Sequence, residues 1–324
     1  MKKFLFVGDT NGNTGPANVN KGIVANLSDA FCIADSVNKV KKYINAFIGV
    51  VRCKVIVVSG MSKVGVYAIK LAKLLNKKTV YIMHGCYEME CALNESAVDE
   101  NSLQMEQYIL HSVDLLLPVS ERYSQIIQEK YPFCKGKTAY LHNGVEKINL
   151  EHGKVQREKG RIIAVGGDRK LKNNITVAKA MAKLGADRVL TVYGHLYHPN
   201  NLPQGKNIEF KGLVPQTQLY EEMQKSELYI LNSVYEPFAL SVYDALLCGC
   251  SVLITNVAGA LELLNVTEHD VIFDPMDENE IANKIDYLLE NPNNTRLMSS
   301  LDFNKISYKA EVEKLENYCN QLCN

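Results

Sequence analysis

The feature that most constrains this chain is an alternation that occurs twice. Short apolar runs ending in Gly, Ser or Asn are separated by segments with helical spacing. KKFLFVG (2–8), KVIVVSG (54–60), KTVYIMHG (78–85), DLLLPVS (114–120) and KTAYLHNG (137–144) form the first set. Runs of this kind, apolar throughout and closed by a small or polar residue, predict parallel strands buried on both faces. Between them, SVNKVKKYINAFIGVV (36–51) spaces Val37, Val40, Ile44, Phe47 and Ile48 as one helical face. That face is expected to meet the core, with Lys39, Lys41 and Lys42 turned away. The polar stretch EKINLEHGKVQREKG (146–160) lacks any period and reads as a linker. The alternation then restarts with RIIAVGG (161–167), RVLTVYG (188–194), NIEFKG (207–212), ELYILNS (227–233) and SVLITN (251–256), and helices are expected at 173–184, 216–225 and 238–248. Two such series predict an α/β protein of two doubly wound domains. Ligands of such sheets bind beyond the C-terminal strand ends, so two facing edges would make an interdomain cleft.

Charge is uneven along the chain. Net charge is zero overall, but residues 1–83 hold 13 Lys and Arg against three Asp and no Glu. A basic first domain suits an anionic partner, whether phosphate or a lipid headgroup, although solvated lysine faces would look the same. No nucleic-acid motif accompanies it, so nucleic acid is not expected. Nine scattered cysteines without a CxxC pair indicate a reducing, cytoplasmic setting and no thiol-based zinc site. The N-terminal apolar run stops after four residues, too short for a secretory h-region, and no apolar stretch is long enough to span a membrane.

Three stretches carry chemistry. GDTNGNTGPA (8–17) follows the first strand, and Gly8, Gly12 and Gly15 would let backbone amides approach a phosphate ahead of a helix; a plain turn is the alternative. VGGDRKLKNN (165–174) places Arg169, Lys170 and Lys172 in a loop at a strand end, where cations can neutralise a diphosphate or simply face water. SVYEPFALSVYDALLCGC (233–250) sets two acids, Glu236 and Asp244, eight positions apart within a core-forming segment. Glu236 falls at the strand-to-helix corner, Pro237 suits a first helical turn, and the amides of Phe238, Ala239, Leu240 and Ser241 would be free at the helix start. The two acids and those amides could read three parts of one extended ligand. Alternatively, Glu236 caps the helix and Asp244 faces water.

The second half resembles the retaining family 4 glycosyltransferases (glycosyl transferases group 1) of the GT-B fold. Their signature is an E-x7-E element, which stands here as EPFALSVYDALLCGCSVLITNVAGALELL (236–264). MHG (83–85), PVSERY (118–123), HNGV (142–145), VGGDRKLKN (165–173) and FKGLVPQTQLYEEMQKSELYILNS (210–233) follow the family in order, so the resemblance covers nearly the whole chain. It is similar in particular to transferases of bacterial surface-polysaccharide assembly.

The resemblance implies two Rossmann-like domains, residues 1–150 on the acceptor side and 151–305 binding the nucleotide sugar. Residues 306–324 would form a helix packing back on the first domain. It implies that Glu236 holds donor-sugar hydroxyls, that Asp244 takes the place of the ribose-binding acid, and that Arg169 and Lys172 neutralise the diphosphate. It further implies that His84 meets the transferred sugar, that Asn143 lines the cleft, and that Gly12, Gly15, Gly167 and the amides of Phe238 to Ser241 grip the donor. The expected reaction moves a hexose from a nucleotide diphosphate sugar, UDP being the expected nucleotide, to a hydroxyl of a saccharide or lipid-linked saccharide. No cofactor is expected and, with no DxD pair, no obligatory metal. The basic first domain would rest peripherally on an anionic membrane. Three departures stand out: Asp244 for Glu, Ala239 for Gly, and AGA (258–260) for a Gly-Gly pair. They keep open a non-catalytic partner subunit; a sugar-nucleotide 2-epimerase shares the two-domain architecture.

Overall fold

The computed structural model describes residues 3–12, 14–148 and 155–323. The chain divides into two compact units, one of residues 1–92, 96–146 and 303–324, the other of residues 93–95 and 147–302. Part of the linker reading (149–154) and the 150/151 boundary lie outside the described residues.

From the N-terminus the elements run β1 (Phe4–Gly8), α1 (Gly15–Asn26), β2 (Phe31–Ile33), α2 (Lys39–Arg52), β3 (Val55–Ser59), α3 (Lys63–Leu74), β4 (Lys78–Met83), α4 (Tyr87–Asn94), α5 (Glu100–Ser112), β5 (Leu115–Pro118) and α6 (Glu121–Lys130). The strands pair in parallel in the order β2-β1-β3-β4-β5, with Phe6 opposite both Ile33 and Val57. β1 and β3 are buried along their whole length, as strands covered on both faces must be. Side chains of Thr14, Asn38, Ser62, Asp99 and Ser120 cap α1, α2, α3, α5 and α6, each accepting a first-turn amide.

The second unit contains β6 (Arg161–Val165), α7 (Asn174–Ala180), β7 (Val189–Tyr193), β8 (Ile208–Lys211), α8 (Gln216–Lys225), β9 (Leu228–Leu231), α9 (Leu240–Leu247), β10 (Ser251–Thr255), β11 (Val271–Ile272), α10 (Glu278–Glu290) and α11 (Asn294–Ser299). Its parallel sheet has the order β11-β10-β9-β6-β7-β8. Its core joins Ile162, Ala164, Leu190, Val192 and Ile230 to Val177, Ile281 and Ile285. The chain then returns to the first unit as α12 (Phe303–Ile306) and α13 (Tyr308–Cys323). Tyr308 lies so close to Gly22 and Gly144 that a Cβ on either would meet it at 2.3 to 2.4 Å, and the Val145 amide donates to the Ile306 carbonyl (2.8 Å).

Two sequence expectations fail. Residues 137–144 make no strand: the segment runs beside β5 with three backbone bonds but records one bridge, Leu116 to Thr138. Its Tyr140 carbonyl accepts from the Tyr318 hydroxyl instead (3.3 Å). The second failure is the face of α2. Its buried residues are Ala46, Gly49 and Val50, whereas Val40, Ile44, Phe47 and Ile48 are exposed. Lys42 is not turned away but pairs with Asp35 (2.8 Å). The reason is close approach: small residues let the helix press on β1, where a Cβ on Gly49 would sit 2.4 Å from the Leu5 side chain. Among the described residues no helix is long and apolar enough to cross a membrane.

Gly49→Ala is expected to destabilise the protein by about 1–3 kcal/mol in a urea melt through overpacking on Leu5, despite the better helix propensity of alanine. Gly15→Ala, where a Cβ meets nothing within 4 Å, is the control and should be neutral or stabilising.

Candidate functional site

Chain order creates a crevice in each sheet. In the second unit β6 leads outward to β7 and β8, and the chain then returns to place β9 on the other side of β6. Loops leaving β6 and β9 therefore part in opposite directions, which opens the ligand position of a doubly wound sheet. Both charged motifs occupy these two loops.

After β6 the backbone turns through Gly166 (φ +118°) and Gly167 (φ +62°). A Cβ on Gly166 would meet the Lys172 Cγ at 2.6 Å, so its absence lets the lysine stem lie across the loop. The Lys172 ammonium thereby reaches the Glu236 carboxylate in the loop after β9 and pairs with it. Both side chains are mostly buried, 16% and 11% exposed. The Ser233 hydroxyl also donates to Glu236 (3.2 Å). The Glu236 carbonyl accepts the Gly259 amide (3.1 Å), fixing the corner to the AGA segment. Arg169 is exposed beside this loop, its Nε donating weakly to the Gly166 carbonyl (3.4 Å).

The helix after Glu236 begins at Leu240, two residues later than expected, so Pro237 precedes it. Ala239 is its N-cap, held at φ +75° and ψ +71°. This left-handed conformation costs an L-residue about 1–2 kcal/mol and is natural to glycine. Leu240 and Ser241 thus head the helix, while Phe238 is buried against Tyr243 (5.6 Å). Ser241 turns its hydroxyl to Tyr229 (2.7 Å). Asp244 sits in the second helical turn and is half-buried. Burial pushes its carboxyl up to about 7, with a Tyr220 hydrogen bond opposing.

In the first unit the switch point lies between β1 and β3, and the equivalent loops meet there. The Gly12–Gly15 loop leads into α1; Asn13 within it lies outside the described residues. The Gly12 carbonyl accepts Lys21 Nζ (3.0 Å), and Gly15 opens α1 behind its Thr14 cap. His84, after β4, lines a cavity of about 310 Å³ with Asp9, Thr14, Asn20, Ser59 and Glu90. A relay orients its ring. Asn20 Nδ2 donates to the Asp9 carbonyl (3.0 Å), so Asn20 Oδ1 must accept the Ser59 hydroxyl (2.6 Å). Ser59 has then spent its proton and accepts from His84 Nε2 (2.9 Å). The proton therefore stays on Nε2, and buried Nδ1, with no hydrogen-bond partner among the described residues, presents a lone pair. Burial pushes this imidazole down to about 4, so at neutral pH it accepts a hydrogen bond and carries no charge. Asn143 is half-buried beside Gly144 in the segment that packs on Tyr308.

Sequence reading missed the supporting groups. Asn20 sits mid-helix, a position without a local pattern, and Ser59 was legible only as the polar close of a strand. Asp168 accepts the amides of Tyr197 and His198 (2.7 and 2.6 Å) and ties the β6 and β7 loops together. Asn173 and Asn232 both donate to the Pro275 carbonyl (2.7 and 2.9 Å), bracing the two sides of the crevice. The stretch 165–174 marked a loop in advance, but not which of its side chains would brace it.

With this geometry in view, residues 147–302 match the family model described as glycosyl transferases group 1. An N-acetylgalactosamine-N,N'-diacetylbacillosaminyl-diphospho-undecaprenol 4-alpha-N-acetylgalactosaminyltransferase of Campylobacter jejuni is 24% identical over 238 residues, 69% of this chain and 64% of that protein. The chain thus spans just under two thirds of that curated relative. The structure of Anabaena HepE in complex with UDP superposes with a TM-score of 0.74 at 16% identity over 98% of this chain and all of that one. Sucrose-phosphate synthase of Thermosynechococcus elongatus gives 0.72 at 15% identity over 99% of each.

Ala239→Gly should raise the unfolding free energy by about 1 kcal/mol, since it removes the left-handed strain. Asp244 should make stability fall as pH rises from about 4 to 7, because the unfolded carboxyl ionises over that range while the folded one does not. Asp244→Asn is expected to flatten that slope and to be more stable than the wild type at pH 8, with the difference shrinking toward pH 4 in parallel melts.

Proposed function

We propose, from the premise that residues 147–302 are a glycosyl transferases group 1 domain on a two-domain α/β GT-B fold, that this chain is a retaining, family 4 hexosyltransferase. Its donor is a nucleotide diphosphate sugar, and UDP is the nucleotide. The observation that carries this reading is the Lys172–Glu236 pair at the switch point. A cation at that crevice meets the negative charge that grows on a departing diphosphate, while the carboxylate accepts sugar hydroxyls. Arg169 and the amides of Leu240 and Ser241 add to the first role, and Gly167 keeps the backbone open to the donor. Asp244 reads the nucleotide ribose. Nδ1 of His84 accepts a hydrogen bond from a hydroxyl of the ligand and stays neutral. Gly12, Gly15 and Asn143 belong to the same ligand's surroundings.

Charge neutralisation by Arg169 and Lys172, together with the absence of a DxD pair from the sequence, supports a reaction without an obligatory metal. The acceptor is a saccharide hydroxyl, carried on a lipid diphosphate in bacterial surface-polysaccharide synthesis. The Campylobacter relative, named for a diphospho-undecaprenol acceptor, supports that class. The protein would work in the cytoplasm at the inner face of an anionic membrane.

The test begins with thermal shift against UDP- and GDP-sugars, where a ligand at about 100 times its Kd stabilises by about 2.7 kcal/mol. UDP-sugars should stabilise the wild type. Glu236→Gln should keep most of that shift and lose transfer by about 100-fold or more, as removal of a transition-state contact does. Lys172→Ala should lose both. Donor binding without any turnover would mean a non-catalytic subunit, and no response to any sugar nucleotide would sink the proposal.

A further inference from the structure

Helix α2 leaves its bulky apolar face uncovered. Val40, Ile44, Phe47, Ile48 and Val51 are between 40% and 68% exposed. At about 100° per residue they span an arc of roughly 100°, directly opposite the Ala46, Gly49 and Val50 contact with the sheet. Val37, just ahead of the helix, is 85% exposed and extends the arc. Exposed Ile33 on edge strand β2 continues it sideways, across a groove of about 600 Å³ that Ile33, Ile48 and Arg52 line. A soluble unit gains nothing from leaving such a surface in water, and continuous patches of this kind mark a docking face.

The charge pattern selects the occupant. α2 carries Lys39, Lys41, Lys42 and Arg52 and no acidic residue. Lys42 is spent on Asp35. Lys41 and Arg52 border the apolar arc on one side, and Lys39 lies on the other side, at the helix start. All three are exposed. Long cationic stems at the rim of an apolar stripe reach headgroups while the stripe enters the acyl boundary. A second copy docking on the same face would set these cations against each other, and the surrounding residues 1–83 hold 13 basic against three acidic side chains. We infer that the outer face of α2 is a membrane-docking surface that lays the helix flat on an anionic lipid bilayer, with Ile44, Phe47, Ile48 and Val51 inserted and Lys41 and Arg52 on the headgroups. This deepens the proposed function by naming the surface that brings a lipid-linked acceptor within reach; it rests on that reading only for the acceptor.

The probe is sedimentation of the whole chain with phosphatidylglycerol–phosphatidylcholine vesicles, against phosphatidylcholine alone. Binding is expected on the anionic vesicles and should weaken as salt rises. Ile44→Ser/Phe47→Ser should lower the partition coefficient by about tenfold or more. Lys41→Glu/Arg52→Glu should remove the salt-sensitive part. Neither pair lies in the donor machinery, so the UDP thermal shift should be unchanged in both, which also separates a failure here from a failure of the proposed reaction. The inference is overturned if the wild type stays in the supernatant at low salt or if the serine variant sediments like the wild type. It is equally overturned if ultracentrifugation shows a vesicle-free dimer that the serine variant disperses.

Discussion

The pairing of β9 with β6 is the constraint on which the candidate site depends. It inserts a late strand beside an early one, and Ile162, Ile163 and Ala164 align with Leu228, Tyr229 and Ile230. Because the strands are parallel, both send their C-terminal loops to one edge. Because the chain reached them from opposite sides, those loops diverge. A lysine seven positions past the end of one strand and a glutamate just past the other can then meet. The ion pair is a consequence of strand order before it is a matter of side-chain chemistry. Partly withdrawn from water, each charge depends on the other, or on a ligand group that replaces it.

The first unit repeats this logic with neutral groups. β1 and β3 flank its switch point, and the residues gathered there pass a single proton assignment along a line. The Asp9 carbonyl fixes the Asn20 amide, Asn20 fixes the Ser59 hydroxyl, and Ser59 fixes the His84 tautomer. The outcome is an acceptor on Nδ1 that has no partner among the described residues. A buried polar atom without a partner is costly, and it persists where a ligand supplies what the fold withholds.

Much of this was legible in advance. Strand ends closed by Gly, Ser or Asn marked the ligand edges, and the placement of Glu236, Lys172 and Gly167 at those edges followed from local pattern alone. Helix faces were less legible. The α2 stripe has an ordinary amphipathic period, yet periodicity says only that one side differs from the other. Which side meets the sheet was decided by Gly49 and Ala46, whose smallness permits a contact that Ile44 and Phe47 would obstruct. The segment 137–144 had strand-like composition but lies at the sheet margin, and composition does not report whether a partner is present on each side. The Ala239 conformation could be anticipated only as a departure from a glycine, not as a particular φ.

Local apolar periods and turn residues, then, determined most of the elements, the parallel character of the sheets and the edges where charged and glycine-rich loops gather, since these follow from short-range backbone and burial rules. Tertiary structure alone decided which groups touch: Lys172 with Glu236, Ser59 with His84, Asp168 with the β7 loop, and α2 with β1 through its small residues. Such contacts join positions far apart in sequence, and their choice depends on distances of a few ångströms that no local pattern encodes.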